Sequence, residues 1–95
     1  MKIVLNDKSE LNVSRINMNI TNSPDVSSSL MITFKKNTSI EEVNNKINDD
    51  TIKSFTLVRD DCDDKVYEGY SIQNISEDSL EDGDTVNLFL IKFKK

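Results

Sequence analysis

Ninety-five residues with a net charge of −5, 36% apolar and 31% charged, make one domain (residues 1–95) with one core; a chain of this size buries roughly 60–65% of its unfolded surface. The acidic balance argues against a broad contact with a nucleic-acid backbone, which needs clustered Lys and Arg, and no apolar run is long enough to span a bilayer. Histidine is absent, a single cysteine cannot form an internal disulfide, and with 2 Gly and 1 Pro the turns must rely on Asn, Asp and Ser.

In chain order, Met1, Ile3 and Leu5 alternate with polar or smaller neighbours, Asn6–Ser9 supplies turn residues, and Leu11 and Val13 resume the alternation, which predicts an opening hairpin. The phase then shifts at Ser14-Arg15, a bulge signal, before Ile16, Met18 and Ile20 alternate strictly with Asn17 and Asn19. Thr21–Ser29, TNSPDVSSS, is the most loop-like segment of the chain. Leu30, Ile32 and Phe34 predict a third strand.

Ser39–Asn48, SIEEVNNKIN, is the one stretch with a helical period: Ile40, Val43 and Ile47 share a stripe, and Ser39 with Glu42 three residues on makes a capping box. Asn48-Asp49-Asp50 reads as a stop. Thr51–Arg59 carries a fourth strand through Phe55 and Leu57, Asp60–Lys65 is a charged turn, and Val66–Ile75 is a fifth strand with Gly69 inside it. Ser76–Asp84 reads as an acidic loop with Gly83 suited to a positive φ, and Thr85–Phe93 is a final strand apolar on both faces. The expected fold is α+β: a single helix packed on a mostly antiparallel sheet of five to six strands, in the order βββαβββ. It is β-grasp-like, with the first and last strands parallel at the sheet centre; a small helix-capped β-barrel is the alternative.

Motifs for chemistry are sparse. Cys62 stands among Asp60, Asp61, Asp63 and Asp64, the opposite of the cationic setting that a reactive cysteine needs. Those four carboxylates lack the glycine and terminal glutamate of an EF-hand loop, and no Gly-rich phosphate loop, CxxC pair or HExxH helix occurs. No catalytic residue, metal site or cofactor is therefore expected. Ten of the 17 Asp and Glu lie between Asp60 and Asp84, whereas Lys2, Lys35, Lys36, Lys92, Lys94 and Lys95 sit near strand ends or termini. If the two sets gather on opposite sides, copies can stack head to tail. As partner contacts the expectation falls on Asp60, Asp61, Asp63 and Asp64, and on Tyr67 and Tyr70, which combine apolar area with a hydroxyl. On one alternating strand these two tyrosines point to opposite faces, one into the core and one outward.

Lys2–Asp7 followed by Glu10–Val13, the SIEEVNNKI helix, and Tyr67-Glu68-Gly69-Tyr70-Ser71-Ile72 resemble small proteins encoded in the structural-gene clusters of tailed phages and prophages of low-G+C Gram-positive bacteria. The resemblance implies a non-enzymatic tail, neck, baseplate or capsid-surface accessory protein. Such a protein is made in the host cytoplasm and carried in the virion, where it contacts other phage structural proteins or copies of itself. It implies no contact with a membrane or directly with nucleic acid. The competing expectation is a phage-encoded inhibitor of host defence, anti-CRISPR-like, whose Asp60–Asp84 carboxylates imitate a nucleic-acid backbone.

Overall fold

The computed structural model describes residues 1–81 and 83–94. Its elements in chain order are β1 (Lys2–Val4), β2 (Glu10–Ile20), β3 (Val26–Phe34), α1 (Ile40–Lys46), α2 (Asp49–Ile52), β4 (Ser54–Val58), β5 (Lys65–Glu68), β6 (Ser71–Leu80) and β7 (Gly83–Phe93). The class is α+β and every strand pair is antiparallel.

The finer expectations are corrected. Among the described residues the sheet has seven strands in the order β5-β4-β1-β2-β3-β7-β6, and two short helices stand where one was expected. β1 lies between β2 and β4 while β7 lies between β3 and β6, so the parallel central pair of a β-grasp does not form. A closed barrel does not form either, because the sheet is open and ends at β5 and β6.

The hairpin turn between β1 and β2 is built as its residues predict. Leu5 N–H donates to the Ser9 carbonyl at 2.8 Å, and Asp7 Oδ1 accepts from Ser9 N–H at 3.0 Å. That bond, with a further one from the Ser9 hydroxyl, holds the Asp7 carboxyl below its ordinary value. β2 is long enough to serve two parts of the sheet: Glu10–Asn12 pairs with β1, and from Val13 to Ile20 it pairs with β3. The register shifts between Val13 and Arg15, the predicted bulge, which bends the strand between those two roles.

Leu11 and Val13 of β2, Ile3 and Leu5, Leu30, Ile32 and Phe34 of β3, Phe55 and Leu57 of β4, and Val86, Leu88 and Leu90 of β7 form one core. α1 covers it with Val43, and Ile47, the residue that caps the helix at its C-terminal end, adds to the cover. Ser39 Oγ accepts from Glu42 N–H at 3.0 Å, and Lys46 Nζ reaches both Glu42, at 3.2 Å, and the Glu10 carbonyl, at 3.1 Å.

α2 packs between β4 and β6, near where the sheet is unclosed. Asn48 caps it by accepting from Asp50 and Thr51 N–H, and Asn48 N–H donates to the Thr51 hydroxyl. Asp49 Oδ1 accepts from Ile72 N–H of β6 at 3.3 Å, Lys53 O accepts from Gly69 N–H at 3.0 Å, and Thr51 O accepts from Asn6 N–H at 2.9 Å. Four residues are too few to hold a helix by backbone bonds alone, so these contacts and the buried Ile52 hold it.

The expected fifth strand splits in two. Gly69, at φ +83, turns the chain so that β5 and β6, joined by Gly69 and Tyr70, lie at opposite ends of the strand order. Most of the expected acidic loop is strand: β6 runs to Leu80, and Gly83, at φ +135, opens β7 directly across from it. Across β3, β7 and β6, Thr33 Oγ1 donates to Asn87 Oδ1 at 2.7 Å and Asn87 Nδ2 donates to Asp78 Oδ2 at 3.0 Å. No helix among the described residues is long and apolar enough to cross a membrane.

Candidate interaction surface

Neither tyrosine is a surface contact in this fold. Tyr67 is 7% exposed and Tyr70 5%, because the Gly69 turn resets the strand phase and sends both rings inward. Tyr67 stacks on Phe55 with centroids 5.1 Å apart and meets Tyr70 edge-on at 6.1 Å. Tyr70 Oη and Ser28 Oγ share a buried hydrogen bond of 2.9 Å. Lys65 Nζ and Lys92 Nζ lie 5.1 and 5.8 Å from the Tyr67 and Tyr70 ring centres. Replacing Tyr70 by Phe leaves the Ser28 hydroxyl without this partner, and we expect a loss of about 1–2 kcal/mol. In a urea titration the Ser28→Ala, Tyr70→Phe double variant should recover part of that loss; additive losses would show that the two oxygens do not depend on each other.

Asp60, Asp61, Asp63 and Asp64 are all exposed in the turn after β4, with Cys62 exposed among them. Arg59 Nη2 donates to the Asp63 carbonyl at 3.0 Å, fastening the turn. No group of three or more Cys, Asp or Glu among the described residues is arranged to hold a metal ion. The expected separation of charge into two sides is not formed here. Lys35 and Lys36 line a depression with Met1 and Ser14, and the adjoining one holds Arg59, Asp60 and Asp61. Lys36 also lies alongside Gly83 in the acidic β6–β7 turn. Basic side chains therefore lie beside the Asp60–Asp64 turn and beside the start of β7.

The conspicuous surface is one that the sequence reading passed over. From Arg15 to Ile20, β2 pairs with β3 on one side only, because β1 has ended at Lys2, opposite Asn12. No described strand covers the other side. Ile16, Met18 and Ile20 continue the row of core-facing residues; Ile16 still packs against the core, but the core stops short of the other two, Met18 being 42% exposed and Ile20 84%. On the opposite face, Asn17 and Asn19 border a shallow depression of about 340 Å³ floored by Met31 and Phe89 and reaching Gln73. Farther along β7 on this face, Phe93 is 54% exposed.

A bare strand edge offers unpaired N–H and C=O groups to another chain, and proteins usually blunt such edges. The other two edges follow that rule. β5 has four residues and carries Lys65 and Glu68, while β6 carries Glu77 and Asp78 and has its Ile72 N–H taken by Asp49. The free part of β2 carries one charge, Arg15, at its inner end. The strict Ile-Asn-Met-Asn-Ile alternation was the available signal. It reads as an ordinary half-buried strand until the topology shows that nothing lies beside it.

Compared with known proteins, the chain matches no family model, no curated relative and no solved structure.

Proposed function

We propose that this protein is a non-enzymatic accessory component of a tailed-phage virion or of its assembly, working by protein–protein contact at the tail, neck, baseplate or capsid surface. The phage assignment rests on the resemblance of the opening strands, the Ser39–Ile47 helix and the Tyr67–Ile72 segment. The observation that carries the contact role is the unguarded β2 edge, where Met18 and Ile20 stand in solvent beside unpaired backbone. An interaction of this kind draws affinity from main-chain hydrogen bonds and apolar burial, and it needs no reactive group. The inhibitor reading is less well supported, because Lys35, Lys36 and Arg59 interrupt the acidic surface that would imitate nucleic acid.

Mass spectrometry of purified particles should find the chain in stoichiometric amount. Its absence from particles, together with capture of a host nuclease complex by the tagged protein, would overturn the reading in favour of the inhibitor.

A further inference from the structure

We propose that the free edge of β2 pairs with the same edge of a second copy, antiparallel about a two-fold axis at Met18, joining two sheets into one. The inference names the partner of the contact surface described above and builds on that reading.

Isologous pairing requires a surface that complements itself, so that residue i meets j and j meets i. Ile16-Asn17-Met18-Asn19-Ile20 reads the same in both directions, and it lies within the part of β2 that lacks a neighbour on one side. With the axis at Met18, the side chain meets its own counterpart, Ile16 meets Ile20 of the second copy, and Asn17 meets Asn19 of the second copy. Residues directly opposite in an antiparallel pair project to the same face. The pairing therefore makes an apolar row of Ile, Met and Ile from each copy on the core side. On the other side it makes a row of asparagine amides, each able to donate and to accept.

A shift of one residue would set Asn17 against Met18 and spoil both rows, so the palindrome selects its own register. The apolar row also covers the two side chains that the core of one copy leaves exposed, Met18 and Ile20. Electrostatics point the same way. Each chain carries −5, yet no Asp or Glu occurs between Glu10 and Asp25, and Arg15 falls opposite Thr21 of the second copy. Two acidic molecules can approach here without setting like charges face to face. β6 is less suited, because Glu77 and Asp78 add negative charge to its edge and its Ile72 N–H is already given to Asp49.

The test is sedimentation velocity on the intact chain across a concentration series, combined with cysteine scanning in a Cys62→Ser background. Wild type should sediment as a dimer that dissociates on dilution. Met18→Lys, which sets two ammonium groups opposite each other on the axis, should raise the dissociation constant by at least about tenfold with an unchanged circular-dichroism spectrum. Cα atoms directly opposite in an antiparallel pair lie about 4.5 or 5.5 Å apart, both within disulfide reach. Met18→Cys should therefore cross-link with itself under mild oxidation. Asn17→Cys should not, because its two copies are offset by two residues along the strands and stand roughly 8 Å apart. A wild-type chain that stays monomeric up to about 1 mM, or Asn17→Cys linking as readily as Met18→Cys, would overturn the proposal. A monomer in solution that is nonetheless stoichiometric in particles would overturn the self-pairing alone and leave the accessory role standing.

Discussion

Phe55→Ala should remove about 3–5 kcal/mol of folding stability, a fifth or more of the roughly 5–15 kcal/mol typical of a domain. Phe55 is 1% exposed, and its ring stacks on Tyr67, which meets Tyr70, which is hydrogen-bonded to Ser28. This chain of contacts runs from β4 through β5 and the Gly69 turn to β3, linking parts of the sheet that no ladder joins directly. Truncating the ring leaves a cavity at the head of the series and removes the flat surface that positions Tyr67. The shift in urea midpoint should be accompanied by increased solvent quenching of tyrosine fluorescence. Phe55→Leu, which keeps most of the volume without the ring, should lose clearly less. A loss below about 1 kcal/mol for Phe55→Ala would mean that the ring fills no core position.

Ile52→Ala should cost about 2–4 kcal/mol, and the damage should be uneven. Ile52 is fully buried and is the one buried residue of α2, a helix too short to persist alone. Once it is truncated, the bonds from Ile72 N–H to Asp49 and from Gly69 N–H to Lys53 lose their support. Hydrogen exchange is the direct readout. The Ile72 and Gly69 amides should exchange through a local opening, well before those of Leu88 and Leu90 in the middle of β7. Uniform exchange across all four would show that α2 and the sheet open as one unit, contrary to expectation.

Local chemistry was legible wherever a residue acts on its immediate neighbours. The bulge at Ser14, the hairpin turn at Asn6–Ser9, the cap at Ser39, the stripe of Val43 and Ile47 and the positive φ of Gly83 all follow from side chains within a few residues of one another. α2 was missed because Asn48-Asp49-Asp50 signals both an end and a beginning. The decisive sign was Thr51 at the third helical position, which completes a capping box with Asn48, whereas at α1 the structure shows only the Ser39 half of the expected box. The second half of β6 reads as a loop because Ser76, Glu77, Asp78 and Ser79 have low strand propensity. Pairing with β7 overrides that preference, and the charges suit an outer strand.

Strand order was not legible in the residues. Nothing in Thr85–Phe93 distinguishes a partner at β3 from one at β1, and the β-grasp expectation failed on that choice. The tyrosines were misplaced for a related reason: period-two alternation was carried through Gly69, where the chain breaks phase. The β2 edge was invisible because exposure there depends on where β1 ends.

The pairing of β3 with β7 joins residues 54 apart, as at Thr33 and Asn87. At a synthesis rate of about 5–20 residues per second, β7 emerges roughly 3–10 s after β3. Any β2–β3 hairpin formed in that interval is bare along its whole β3 flank and along β2 from Arg15 to Ile20, where β1 does not reach. One flank is sealed when β7 arrives, and the other, from Arg15 to Ile20, is left for the second copy. This window before release from the ribosome is when a chaperone that shields extended hydrophobic segments has the most to protect.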